Sequence, residues 1–137
     1  MENLDKINEL NQLIKLNLMP IVIEKSSYFN DYLKIKQPKF TTIDARLSAK
    51  ALGLDGSKFN PQWYTCVMNY ESAKTNLLII SNFNSLLDDQ MKFYELFKYR
   101  KASNFVLPLN CTIIITLNEL DNNNILENIN SLVCHFN

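Results

Sequence analysis

Two uninterrupted apolar runs, at residues 76–80 (NLLII) and 111–117 (CTIIITL), constrain the fold of this chain most. A strand with one face in water alternates apolar and polar residues. A strand of a parallel sheet is buried on both faces and reads as a continuous apolar run. The two runs therefore predict central strands of a parallel sheet that is covered on both sides.

Shorter apolar segments predict three more strands, at residues 21–23, 40–43 and 133–136. Strands that alternate with helices in the sequence imply right-handed crossovers and a parallel sheet. The predicted fold is therefore α/β, a three-layer sandwich with a mostly parallel five-stranded sheet.

Apolar residues recur at helical spacing between the predicted strands. The predicted helical segments are residues 3–17, a helix capped by Ser26 or Ser27 and ended by Gln37-Pro38, a short turn at 47–52, a helix opened by Asp88 and Asp89, and residues 124–132. Residues 53–74 contain both glycines of the chain and are predicted to form a long irregular connection.

Composition limits the class of protein. With 137 residues and 47% hydrophobic residues, the chain suits one globular domain, spanning 1–137. Fourteen basic residues balance fourteen acidic ones, so no nucleic-acid partner is expected. No apolar run approaches the ~20 residues of a membrane-spanning helix, so no membrane association is expected. A polar start without a signal peptide, and three cysteines without CxxC spacing, favour reduced thiols in a cytoplasmic protein.

Three blocks follow one another in an order that is typical of one family. They are residues 43–48 (IDARLS), residues 77–84 (LLIISNFN), and residues 99–118, which include YRK, FVLP and CTIIITLN. Together they resemble the DxRLS segment, the Walker B strand hhhhDEhN and the R…G-x-Y-x-L-P…hhhAhxN segment of AAA+ P-loop ATPases of the MoxR-like branch. An inactive subunit of the clamp-loader type is the second choice. The resemblance implies a P-loop NTPase-like core, here without the helical lid that follows it in the family.

The residues that would handle ATP depart from the family pattern. Ser81 and Asn82 stand where Walker B has the Asp that holds the metal and the Glu that activates water, and neither residue can replace them. Leu132 stands where the family has an arginine finger. No glycine lies before Lys25 and Ser26, which match only the end of the phosphate-binding motif GK[ST]. A loop that surrounds phosphates with backbone N–H groups needs glycine.

Two sets of candidate binding residues remain. The first set is Lys25, Ser26 and Asn118, which would be residual contacts to a nucleotide; their alternative interpretation is a solvated strand end, a helix cap and an ordinary polar residue. The second set is Phe59, Trp63 and Tyr64, aromatic residues that could anchor a protein partner from a long loop. Their alternative interpretation is packing over the sheet.

No catalytic or metal-binding residue is expected. Cys134 and His135 are adjacent on a predicted strand and point to opposite faces, so they form neither a dyad nor a metal site. The sequence therefore predicts a non-catalytic AAA+-like domain that binds another protein, such as an AAA+ ATPase, as a regulator, adaptor, passive subunit or subunit mimic, for example one from a phage or mobile element. No cofactor is expected.

Two alternatives stay open. One is a weak ATP-binding or ATPase domain that uses Lys25, Ser26 and Asn118. The other is an unrelated small α/β interaction protein. A sheet with antiparallel strands would favour this last alternative, and so would a strand before Asn118 that is not beside the strand at 21–23.

Overall fold

The computed structural model describes residues 4–56 and 60–137. Seven strands and six helical segments follow one another along this part of the chain. The strands are β1 (Ile21–Ile23), β2 (Lys39–Asp44), β3 (Asn76–Ser81), β4 (Lys101–Ala102), β5 (Phe105–Val106), β6 (Cys111–Thr116) and β7 (Cys134–Phe136). The helices are α1 (Leu4–Leu16), α2 (Ser26–Lys36), α3 (Gln62–Asn69), a 3₁₀ helix (Leu87–Phe93), α4 (Tyr94–Tyr99) and α5 (Glu127–Asn130).

Five of the strands form one sheet in the order β2-β3-β6-β1-β7, and every neighbouring pair is parallel. The predicted α/β class and five-stranded parallel sheet are confirmed. The two continuous apolar runs form β3 and β6 at the centre, where all but the last residue of each strand is buried. Strand β6, which precedes Asn118, lies beside β1, with Ile21 opposite Ile114.

Helices cover both faces of the sheet, which makes three layers. On one face, α1 packs Ile7, Leu10 and Ile14 against the sheet, and α2 adds Phe29 and Tyr32. Steps of three and four residues place the apolar side chains of α1 on one side of the helix. Each buried side chain of this size contributes about 1.5–3 kcal/mol to the stability of the fold.

The other face carries α3, the 3₁₀ helix, α4 and α5, with a core that includes Trp63, Phe93 and Phe97. Strand β1 contributes to both layers, because Val22 packs on this side while Ile21 and Ile23 pack under α1 and α2. Successive side chains of a strand point to opposite faces, so three apolar residues in a row serve two cores.

The long irregular connection predicted for residues 53–74 is wrong, because α3 occupies its second half. Pro61 precedes the helix in extended conformation, and Trp63 and Val67, one turn apart, are buried against the sheet. One buried pair at helical spacing in a segment of eight residues is a weak helical signal, and packing decides the structure here. The turn at 47–52 is present, with the Leu52 amide donating to the Ser48 carbonyl at 3.0 Å.

Three further expectations about helices need correction. Helix α2 has Lys25, not Ser26 or Ser27, at its N-cap, and no side chain caps it. The segment opened by Asp88 and Asp89 begins as a 3₁₀ helix, again without a side-chain cap, and continues as α4. The helix predicted over 124–132 is limited to the four residues of α5, because the side chain of Gln90 accepts the Leu126 amide at 2.8 Å and holds the segment before α5 out of the helix.

None of the helices in the described ranges combines the length and the apolar character that a membrane span requires.

Candidate functional site

The carboxyl ends of β1, β2, β3 and β6 meet at one edge of the sheet, here called the C-terminal edge. Ligands of α/β proteins bind at this kind of edge, close to strand ends. The edge has two parts: a cleft where β1 and β6 end, and a hydrogen-bonded polar network where β2, β3 and β6 end. The candidate nucleotide residues and the Walker B positions all lie here.

The connection between β1 and α2 is only two residues long. Strand β1 ends at Ile23 and α2 begins at Ser26, so Glu24 and Lys25 form the whole connection. The amide of Glu24 continues the sheet by donating to the Phe136 carbonyl at 3.0 Å. A phosphate-binding loop holds several free N–H groups around the anion in a longer glycine-rich segment. This connection has no room for such a loop.

A cleft of about 460 Å³ lies beside this connection. Its lining includes Lys25, Ser26, Glu24 and Glu119. The Ser26 hydroxyl donates to Glu119 Oε1 at 2.7 Å, and the Lys25 ammonium lies 5.5 Å from the centre of the Tyr28 ring. Two carboxylates against one ammonium leave the lining with a net negative charge, which opposes the binding of a polyphosphate.

His135 holds the Glu24 carboxylate at the side of the cleft. Its Nδ1 lies 2.5 Å from Glu24 Oε1, and its Nε2 lies 2.5 Å from the side-chain oxygen of Asn130. The prediction about Cys134 and His135 concerned a dyad between sequence neighbours, whereas the carboxylate partner of His135, Glu24, is 111 residues away. The pairing of β1 with β7, with Val22 opposite His135, brings the two side chains together.

A chain of hydrogen bonds crosses the ends of β2, β3 and β6. The Arg46 guanidinium donates to both carboxylate oxygens of Asp44, at 2.7 Å for the shortest contact. Asp44 Oδ1 also accepts from the Asn82 amide at 3.3 Å, and Asn82 Oδ1 accepts from the Asn118 amide at 3.2 Å. The hydrogen bond from Arg46 lowers the pKa of Asp44 to about 2. The network therefore keeps Asp44 ionised and paired.

Both polar groups of the Asn118 side chain already have partners at this edge. Its amide donates to Asn82, and its side-chain oxygen accepts from the Leu120 amide at 2.9 Å. Asn84 binds the backbone of the same residue, accepting from its N–H at 2.6 Å and donating to its carbonyl at 2.9 Å. The cleft is lined by Leu117 and Glu119, on either side of Asn118 in sequence, and not by Asn118. The structure thus brings Lys25 and Ser26 together and places Asn118 in the neighbouring network.

The Walker B positions are also engaged in the sheet. Ser81 Oγ donates to the Ile43 carbonyl at 3.2 Å, and Asn82 adopts a left-handed backbone conformation (φ 57°) while it bridges Asp44 and Asn118. Within the described ranges, no group of three or more His, Cys, Asp or Glu residues is placed to hold a metal ion. As arranged, these side chains can stabilise the ends of three strands.

The candidate partner-binding aromatics are placed differently from the prediction. Trp63 lies in α3, is 7% exposed and donates its ring N–H to the Leu52 carbonyl at 2.8 Å, so an exposed position on a loop is wrong for this residue. Tyr64 is half-buried and donates to the Val106 carbonyl at 2.6 Å. Both positions are explained by the burial of apolar ring surface in the core. Phe59 lies outside the described residues.

Three buried or half-buried polar residues that the sequence reasoning missed organise this edge. Asn84 binds Asn118 as described and also donates to the Asn122 carbonyl at 2.9 Å. Gln90 donates to the Phe83 and Asn124 carbonyls. Lys92 donates to the Ala45 and Leu47 carbonyls at 2.7 and 2.6 Å and pairs with Asp89. Asn84 is the last residue of the block at 77–84, and that position is the one sequence feature that could have indicated its role. Gln90 and Lys92 fall in no recognisable pattern.

Comparisons with known proteins give little further information. No protein-family model matches the sequence, and no curated protein is significantly similar to it. Among solved structures, Cdc6p from Pyrobaculum aerophilum is similar, with a TM-score of 0.48 and 12% sequence identity. The match covers 98% of this chain and 45% of Cdc6p, so the chain spans less than half the length of that protein. The comparison does not support the MoxR-like branch in particular.

Proposed function

We propose that this chain is a non-catalytic AAA+-like domain that acts through contacts with another protein. The sheet supports the AAA+-like part of the proposal, because its strands are parallel and β6 lies beside β1. The blocks that carry the resemblance also meet in space: Asp44, Asn82 and Asn118 come from three different blocks and form one hydrogen-bonded chain. The three positions lie at the ends of the neighbouring strands β2, β3 and β6, so the strand order brings the three blocks together.

The two-residue connection after β1 is the observation that carries the non-catalytic part. A triphosphate is held mainly by backbone N–H groups and a lysine, with the partial positive charge of a helix N-terminus behind them. Here the Glu24 amide is used by the sheet, and the Glu24 carboxylate is on the lining of the cleft. Lys25 alone is a weak phosphate ligand in that environment.

The absence of acidic residues at the Walker B positions is a second, independent support. Mg²⁺ is held by carboxylates and phosphates, and a water molecule that attacks phosphate needs a positioned base. Ser81 and Asn82 provide neither group, and both donate hydrogen bonds to strand β2 residues. Each change alone would impair hydrolysis; together they remove binding and chemistry.

Thermal unfolding with millimolar ATP or ADP and Mg²⁺ tests this part of the proposal. A ligand at about 100 times its Kd stabilises a protein by about 2.7 kcal/mol, which is a shift of several degrees in Tm. We expect no shift with either nucleotide and no hydrolysis of ATP. A shift that Lys25→Ala abolishes and the control Lys50→Ala leaves intact would establish the alternative, a weak ATP-binding domain.

The partner that the resemblance favours is a subunit of an AAA+ ATPase, and we place the encounter in the cytoplasm. As a regulator, adaptor, passive subunit or mimic, the domain would change the activity of an ATPase that has intact motifs. The test has two steps. An AAA+ ATPase that copurifies with this protein is identified and purified, and its rate of ATP hydrolysis is then measured with and without the protein. No change in rate at saturating protein would count against this role.

A further inference from the structure

A lysine-rich groove crosses the other end of the sheet, where β2 and β3 begin. Its larger part is a cavity of about 720 Å³. Four lysines from four separate segments line it, together with polar and small residues: Lys15, Lys36, Lys39 and Lys74, with Asn11, Gln37, Pro38, Ala73 and Thr75. We call this cavity and its extension below the lysine groove.

The groove extends past Lys15 and Lys74 toward an exposed leucine. A second cavity of about 190 Å³ shares Lys15, Lys74 and Thr75 with the first, so the two are parts of one groove. Its far side is lined by Leu109, which is 93% exposed, and by Asn110. The groove therefore has a basic section and an end with an apolar side chain in solvent.

The positive charge of the groove is not balanced by the residues that the structure describes. No carboxylate lines either cavity, and none of the four lysines forms a salt bridge with another residue of the described part of the chain. The chain as a whole has no formal net charge, so the charges are segregated. A concave site lined by several lysines attracts an anionic ligand.

The helix dipole explains the positions of only two of the four lysines. Lys15 and Lys36 lie in the last turns of α1 and α2, where a cation stabilises the helix end. Lys39 is the first residue of β2, and Lys74 lies in the turn before β3, so neither gains from a helix C-terminus. Lys39 Nζ lies 5.9 Å from the centre of the Tyr70 ring, a cation–π contact that accounts for the position of Lys39 and not for that of Lys74.

The lining favours a peptide over a nucleic acid. It contains no arginine, and both arginines of the chain are engaged elsewhere, Arg46 with Asp44 and Arg100 with the carbonyls of Pro108 and Cys111. No aromatic residue is among the described residues that line the groove, and the Tyr70 ring already faces the Lys39 ammonium, 5.9 Å from the ring centre. Leu109 offers an apolar contact, which suits a hydrophobic side chain of a peptide and not a phosphate backbone.

We infer that the lysine groove binds an extended acidic segment of a partner protein, with an apolar residue of that segment against Leu109. The inference rests on the proposed function, since it states the chemistry of the partner. The lysines attract the acidic segment and raise its association rate, and the contact with Leu109 fixes the direction in which the segment lies in the groove.

The test is fluorescence anisotropy with a labelled peptide of several glutamates followed by leucines, at low ionic strength. We expect binding that weakens with salt, and about a tenfold loss of affinity in the double variant Lys39→Gln, Lys74→Gln. The matched control is Lys34→Gln with Lys50→Gln, which removes the same charge from exposed positions that do not line the groove. The control should bind within about twofold of the wild type.

The apolar end is tested separately. Leu109→Ser should weaken binding of the peptide with leucines by about fivefold and leave an all-glutamate peptide unaffected.

Equal losses of affinity in the groove variant and the control variant would overturn the inference, as would absence of peptide binding. A single-stranded oligonucleotide of matched charge that binds as tightly as the peptide would overturn it in favour of a nucleic acid. None of these outcomes bears on the nucleotide test, which concerns the opposite edge of the sheet.

Discussion

The two ends of the sheet use their polar residues in opposite ways. At the C-terminal edge, Asp44, Asn82 and Asn118 bind one another, and Asn84 fixes the backbone beside them. At the lysine groove, four lysines line one cavity and form no salt bridge within the described residues. Polar groups that satisfy each other contribute to stability, whereas unpaired charges in a groove contribute to binding. The binding surface that we propose therefore lies at the end of the sheet where no nucleotide site was expected.

The largest expected effect is the loss of Asn84. Its side chain is 5% exposed and makes three hydrogen bonds to backbone groups of Asn118 and Asn122, so Asn84→Ala leaves those groups without partners. We expect a loss of about 2–4 kcal/mol in the free energy of unfolding, measured with urea. Asn30→Ala, at an exposed position of α2, should change it by less than about 0.5 kcal/mol. Similar small effects from both variants would mean that the C-terminal edge is not held by this network.

Restoration of the Walker B acids should have a smaller effect on stability and none on activity. In the double variant Ser81→Asp, Asn82→Glu, the new Glu must adopt the left-handed conformation that asparagine tolerates better, and it loses the bond to Asp44. We expect a loss of about 1–2 kcal/mol and no ATP hydrolysis, because the connection after β1 still has two residues. ATP hydrolysis by this variant would show that the C-terminal edge is a nucleotide site after all.

Much of the sheet could be predicted from sequence, because burial on both faces leaves a direct pattern. Strands β3 and β6 are continuous apolar runs. The resemblance to the family also indicated that Asn118 lies directly after a central strand, which is β6. Helix α3 could not be predicted in the same way. It buries one pair of side chains, Trp63 and Val67, and it follows a segment that contains both glycines and a proline. Only the tertiary contact with the sheet makes it a helix.

The side-chain pairings at both ends of the sheet could not be predicted either. Glu24 and His135 are 111 residues apart, and Gln90 reaches Leu126 across 36. The four groove lysines, at 15, 36, 39 and 74, form no charge run in the sequence. Such groupings depend on the strand order, which periodicity does not determine. The resemblance pointed to one end of the sheet, and nothing in the sequence pointed to the other.

A pH-dependent effect of intermediate size is expected from Arg46. The pKa of Asp44 is lowered to about 2 by its hydrogen bond to Arg46, below the value near 3.9 of an unfolded chain. The pair therefore contributes its full stability above about pH 4, and the contribution is lost as the pH falls toward 2. Arg46→Gln should cost less than about 1 kcal/mol at pH 6, since the pair is partly exposed, and the difference from wild type should shrink below pH 4. Urea unfolding of both proteins at several pH values measures this difference; one that is independent of pH would exclude the ion pair as its source.

The smallest effect on stability is expected where the effect on binding is largest. In Lys39→Gln with Lys74→Gln, two exposed charges without ion-pair partners are removed, so no hydrogen-bonded network is broken. Relief of repulsion among the four lysines should offset any lost contact, and the free energy of unfolding should stay within about 0.5 kcal/mol of wild type or rise slightly. Urea unfolding beside the anisotropy assay measures both quantities on the same protein. If this variant lost as much stability as Asn84→Ala, the lysines would be structural, and the contrast between a self-satisfied edge and an open groove would not hold.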